Sequence, residues 1–203
     1  INKLFEEHNF EVDYKTGKEA TEKNFKSLGT TGPSPRFLHL ATHGYFFPDP
    51  QEDDTGNKNT FESSEHPLLR SGLILAGGNK IWQGQEASPE TEDGILTAYE
   101  ISNMNLSNSE LVVLSACETG LGDIQGSEGV YGLQRAFKMA GVRYLIMSIW
   151  QVPDEATSVF MTRFYENYLR EQMTIRAAFN KTQLQMRDQF SEPYNWAGFV
   201  LLE

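Results

Sequence analysis

Arg36-Phe-Leu-His-Leu-Ala-Thr42 is a short apolar run, preceded by the turn-rich Gly29 to Pro35 and followed at once by His43 and Gly44. A run of this length bounded by turn formers reads as a buried strand of a parallel sheet. Two more runs have the same form. Leu111-Val-Val-Leu-Ser115 stands between the polar Asn105 to Glu110 and the segment Cys117 to Gly122. Val142-Arg-Tyr-Leu-Ile-Met-Ser-Ile-Trp150 is β-branched and aromatic, starts after Gly141 and ends at Val152, Pro153 and Asp154. Helical spacing fills the intervals. Residues 126–140 place Val130, Leu133, Phe137 and Ala140 on one face, and 154–170 do so with Val159, Phe160, Phe164 and Tyr168. Pro153 precedes that second helix, where Asp154, Thr157 and Ser158 offer oxygens to free N–H groups, and a last helix spans about 174–190. Strands alternating with helices predict an α/β fold with a mostly parallel central sheet flanked by helices.

With 203 residues and 39% hydrophobic side chains, the chain has apolar material for one substantial core, so residues 1–203 are expected to form one unit. A formal charge of -11 argues against a nucleic-acid surface, which needs clustered Lys and Arg, and suits a basic partner. The single cysteine, Cys117, excludes an internal disulfide and a cysteine-based zinc site, and fits an intracellular nucleophile. The acidic run Asp49 to Asp54 reads as a solvated loop, so neither metal nor cofactor is expected. No stretch reaches the ~18 to 20 apolar residues of a membrane span, and Ile1 to His8 lacks a signal-peptide pattern. The chain opens with Ile in an amphipathic helical stretch, as a piece of something longer would. Residues 47–94 are rich in Asp, Glu, Asn, Gly and Pro apart from Leu68 to Ala76, and are expected to form a long excursion with a short hairpin or turn inside it.

Ligands of open α/β sheets sit beyond the carboxyl ends of the strands, and His43, Cys117 and Asp154 each follow such an end. If the three strands are neighbours, their side chains converge on one crevice. An imidazole beside a thiol takes its proton and can return it to a leaving amine, which gives His43 and Cys117 complementary roles. Backbone N–H groups of Gly44 and Cys117 are candidate oxyanion donors, and Gly120 and Gly122 permit a sharp turn out of the strand. A lone cysteine after an apolar strand is also a common small core residue. His39 shares its predicted strand face with Ala41 and His43, which points to a packed or supporting role. His8 and His66 fit the surface.

Leu38-His-Leu-Ala-Thr-His-Gly44 and Val112-Val-Leu-Ser-Ala-Cys-Glu-Thr-Gly-Leu-Gly122 closely resemble the two signature blocks of CHAT peptidases, which are similar to caspases, gingipains and separases. The resemblance continues through Pro67-Leu-Leu-Arg-Ser-Gly-Leu73, Asp93-Gly-Ile-Leu-Thr-Ala-Tyr-Glu100, Gly126-Ser-Glu-Gly-Val130, Ser148-Ile-Trp-Gln-Val-Pro-Asp154 and Trp196-Ala-Gly-Phe-Val200. It implies a caspase-like three-layer fold and a cysteine endopeptidase: His43 the catalytic histidine, Gly44 an oxyanion contributor, and Cys117 the nucleophile that forms a thioester. Separase relatives end the segment matching Ser148 to Asp154 in an acidic residue that lines a pocket for a P1 arginine. Asp154 would pair with a basic side chain in that role, bidentately with Arg. Ser115 stands where metacaspase-like relatives place an aspartate, and Glu118 could shape the same pocket or only hold the turn.

CHAT domains carry further elements upstream and are commonly joined to tetratricopeptide (TPR) repeats or other sensor modules. A regulatory module or activating partner, a protein or peptide substrate, a bacterial source and a cytoplasmic location are therefore implied. The 47–94 excursion, with Lys58, Arg70 and Lys80, is where ordering or self-cleavage is expected. A non-catalytic CHAT-like scaffold or signalling module is the alternative, and amidase or transglutaminase-like chemistry a further one.

Overall fold

The computed structural model describes residues 1–47, 61, 64, 66–79, 92–115 and 128–203. Within these residues the chain builds two sheets. The larger contains β1 (Phe37–Leu40), β5 (Leu111–Leu114), β6 (Tyr144–Ser148) and β7 (Phe199–Leu202), in the order β1-β5-β6-β7. The first three are mutually parallel, and β7 closes the far side antiparallel to β6. The smaller sheet is antiparallel, with β2 (His43–Phe46), β3 (Ser71–Ile74) and β4 (Ile95–Thr97).

All four residues of β5 are buried, as a parallel strand covered on both faces requires. Leu111 and Val113 face the layer made by α5 (Asp154–Leu169) and α6 (Ile175–Gln189), together with Ile146, Phe160, Phe164, Tyr165, Phe179 and Phe199. Val112 and Leu114 face the opposite layer, where Leu133 and Phe137 of α4 (Glu128–Met139) meet Ala98 and Ile101 of α3 (Ala98–Ser102). Helix, sheet and helix thus form the three layers that the sequence predicts. The rings of Phe160 and Phe199 stack at 4.1 Å between centroids, joining α5 to β7. Two shorter helices, α1 (Asn2–Glu7) and α2 (Glu22–Lys26), precede β1. Phe5 of α1 packs edge to face on Phe10 and Tyr165 and tilts onto Phe37, covering the outer strand β1.

Local chemistry sets the boundaries. Thr97 and Glu100 form a reciprocal capping box that starts α3. Thr174 caps α6 through the Ala177 N–H. Gly141, at φ +97, ends α4 in the left-handed region, and a Cβ there would lie 2.9 Å from the Ser107 backbone.

The structure departs from the sequence reading at three places. The run 36–42 is not one strand through to His43: β1 stops at Leu40, and His43 opens β2 in the other sheet. The Thr42 hydroxyl donates to the Ile74 carbonyl and fixes this change of sheet. His39 and His43 therefore do not share a strand face. Leu68 to Ala76 contributes β3, the central strand of the smaller sheet, so part of the 47–94 excursion is integral to the fold. α5 begins at Asp154 after Pro153 as expected, but no side chain caps it: Pro153 holds the cap position, and the Thr157 hydroxyl turns back to the Val152 carbonyl at 3.4 Å.

Candidate active site

The parallel strands β1, β5 and β6 are neighbours, so their carboxyl ends open on one side of the sheet. Two residues, Ala41 and Thr42, separate Leu40, the last of β1, from the exposed His43. Gly44 beside it is buried, as is Tyr45, whose hydroxyl donates to the Leu69 carbonyl at 3.3 Å. Burial raises the Tyr45 phenol far above its ordinary value, so it stays neutral. At the end of β5, the Ser115 N–H donates to the Leu40 carbonyl at 2.8 Å, extending the β1–β5 pairing by one bond. This bond holds the exits of β1 and β5 side by side.

Beneath them lies a chain of polar side chains. The Ser115 hydroxyl is 3.0 Å from Nε2 of His39, and Nδ1 of His39 is 2.9 Å from the hydroxyl of Tyr165 on α5. Burial lowers the His39 pKa to about 4, so the imidazole is neutral at physiological pH. Tyr165 is 1% exposed, and burial pushes its phenol far up.

Beyond β6, residues 149–154 are anchored against the approach to β7. The Ile149 N–H donates to the Gly198 carbonyl at 2.9 Å, and the Trp150 indole N–H donates to the Tyr194 carbonyl at 2.9 Å. The Trp150 and Tyr194 rings stack with centroids 6.1 Å apart. Gly198 lets the indole in, since a Cβ there would come within 2.7 Å of the Trp150 ring. Val152 is buried, while Asp154 and Glu155 are exposed in the first turn of α5. A carboxylate there is favoured by the positive end of the helix dipole.

The structure thus places His43, Gly44, Ser115 and Asp154 at the same end of the sheet. Cys117, Glu118, Thr119, Gly120 and Gly122 lie outside the described residues, as do Lys58, Lys80 and the run Asp49 to Asp54. Among the described residues no group of three His, Cys, Asp or Glu could hold a metal ion, and no helix is long and apolar enough to cross a membrane.

Two features escaped the sequence. Tyr165 as a partner of His39 is one; its signal was a phenol on the apolar face of a helix, which needs a hydrogen-bond partner when buried. The other is an ionic knot at the root of the 47–94 excursion. Lys26 Nζ reaches Glu92 at 2.7 Å, Glu100 at 3.0 Å and Glu22 at 3.2 Å, and the Gly94 N–H donates to the Glu22 carboxyl at 2.9 Å. Glu22 is 2% exposed, and burial, with hydrogen bonds to Glu92 and Asp93 next, raises its pKa to about 8. No local signal marks this knot, because its acidic members other than Glu22 lie 66 or more positions beyond Lys26.

Comparison with known proteins fits this architecture. The mouse protein named Tetratricopeptide repeat protein 28 is 28% identical over 196 residues, covering 92% of this chain and 8% of its own length. The human protein of that name is 33% identical over 116 residues, covering 56% of this chain and 5% of its own length. The chain therefore spans less than a tenth of these relatives, and they are mammalian where the resemblance of motifs points to bacteria. The CHAT domain matches across residues 1–203, and the chain belongs to the CHAT family, whose fold is related to that of the caspase-like peptidases.

Proposed function

We propose that the chain is the catalytic part of a cysteine endopeptidase working through His43 and Cys117. The observation that carries the reading is the joined exit of β1 and β5: the Ser115-to-Leu40 bond sets Ser115, two residues before Cys117, beside the strand end that leads to His43. His43 takes the Cys117 proton, and the thiolate attacks the scissile carbonyl carbon. The oxyanion draws on the N–H groups of Gly44 and Cys117. Collapse breaks the C–N bond, the imidazolium gives its proton to the leaving amine, and water hydrolyses the thioester to release the acid and the thiol. Asp154, exposed beyond β6, selects a basic P1 side chain, with Ser115 and Glu118 lining the same pocket. The activity is cytoplasmic and is controlled by a regulatory module, for which tetratricopeptide repeats, printed in the relatives' name, are the candidate.

The test is cleavage of a positional-scanning peptide library by the wild type and by Cys117→Ala, His43→Ala and Asp154→Ala, in the chain joined to its natural flanking regions. The expected result is cleavage after Arg or Lys that disappears with either dyad substitution and loses its basic preference with Asp154→Ala. Absence of any Cys117-dependent cleavage in the activated protein would instead establish the scaffold or signalling reading. Action on small amides alone would indicate an amidase.

A further inference from the structure

His39 is not a catalytic candidate: it is half-buried on β1, one residue before the strand ends at Leu40. Both of its ring nitrogens are nonetheless engaged, one by Tyr165 and one by Ser115. The direction of these bonds follows from hydrogen-bond accounting. A neutral imidazole carries one N–H and one acceptor nitrogen. Tyr165 is fully enclosed, and its hydroxyl has no other partner among the described residues. If Nδ1 held the proton and donated to Tyr165, the phenolic O–H would be left buried without an acceptor, at a cost of ~1–3 kcal/mol. The arrangement that satisfies every group has the Tyr165 O–H donating to Nδ1 and Nε2–H donating to the Ser115 oxygen.

We propose that His39 is a positioning residue, which, held by Tyr165 of α5, grips the Ser115 hydroxyl and fixes the end of β5, two positions before Cys117 in the sequence. Three groups, on α5, on β1 and at the end of β5, make the grip. Tyr165 is locked in the aromatic core with Phe5 and Phe164. His39 pairs in register with Val113, so its ring and the Ser115 side chain lie on the same face of the sheet. The Ser115 backbone is held separately, by its N–H bond to Leu40. With main chain and side chain both held, Ser115 has little freedom to rotate. The grip thus rests on the packed layer formed by β1 and α5.

This inference rests on the assignment of Cys117 as nucleophile, but its test does not require peptidase activity. Cys117 is the one cysteine in the sequence, so alkylation by iodoacetamide reports on it alone. The second-order alkylation rate is measured from pH 5 to 10 in the wild type and in His39→Leu, His39→Gln, Tyr165→Phe and Ser115→Ala. His39→Leu and Ser115→Ala are expected to shift the midpoint of the profile or change the plateau rate at least threefold. His39→Gln, whose amide can accept from Tyr165 and donate to Ser115, is expected to stay within twofold of wild type. The double variant His39→Leu/Ser115→Ala is expected to be no worse than either single one, because both break the same link. Tyr165→Phe keeps the ring packing and removes only the hydroxyl, so it serves if the leucine variant fails to fold; it should give a smaller change of the same sign. Unchanged profiles in folded His39→Leu or Tyr165→Phe would overturn the proposal, and so would additive effects in the double variant or a glutamine variant as impaired as leucine. Peptide cleavage is recorded in parallel. Altered alkylation in a protein that cleaves nothing would sink the peptidase reading and leave the positioning role standing.

Discussion

His39 makes stability depend on acidity in a way that can be calculated. Its folded pKa is about 4, against an ordinary value of 6.5 in the unfolded chain, and burial is the main cause. Between those values the unfolded chain binds a proton that the folded protein refuses. A group depressed on folding leaves stability intact above its unfolded pKa and drains it as pH falls toward the folded one. At ~1.4 kcal/mol per pH unit, the loss is ~3 kcal/mol once pH 4 is reached, and ~2.5 kcal/mol between pH 7 and 4.5. For a domain whose net stability is ~5–15 kcal/mol, that is a large share. Urea unfolding of wild type and His39→Gln at pH 7, 5.5 and 4.5 isolates the effect, because all other titrating groups are common to both. The variant is expected to lose ~2.5 kcal/mol less than wild type over that range, whatever its starting stability. Equal losses would refute the assignment of His39 as a buried neutral imidazole and, with it, the directions assigned to the Tyr165 and Ser115 bonds.

Three other expectations follow from particular contacts. Glu22 has the opposite sign: a carboxyl raised to about 8 supports the fold below its ordinary 4.5 and loses that support as pH rises toward 8, so Glu22→Gln should gain stability relative to wild type between pH 6 and 8.5 in the same urea assay. Phe160→Ala removes a fully buried ring stacked on Phe199 and should cost ~3–5 kcal/mol, read as a lower urea midpoint at unchanged slope. Gly198→Ala places a methyl within 2.7 Å of the Trp150 ring and should displace the indole from Tyr194, seen as a shift in tryptophan fluorescence with a loss of ~1–3 kcal/mol.

The layers of the fold were legible because their physics is local. The unbroken apolar runs Leu111 to Leu114 and Leu145 to Met147 announce strands covered on both faces, and the helices declare their inner faces through their apolar period. Even there the centre of the face moved: on α5 the fully enclosed residues include Met161 and Tyr165, while Val159 and Tyr168 pack partly buried at its margins. β7 was seen only as a motif, since four residues pairing antiparallel to β6 carry no period long enough to read.

The candidate site divides in the same way. Position just past three apolar runs made His43, Cys117 and Asp154 candidates, and resemblance to the CHAT motifs gave them, with Gly44, their expected roles. Only the tertiary structure decided that β1 yields to a second sheet at Thr42, that no side chain caps the first turn of α5, and that Lys26 gathers carboxyls from distant segments. It alone joined Tyr165 to His39 across 126 positions and His39 to Ser115 across 76. Periodicity reports which face of an element is buried; it carries nothing about which polar group on another element will meet it, because that choice is made by packing between segments far apart in the chain.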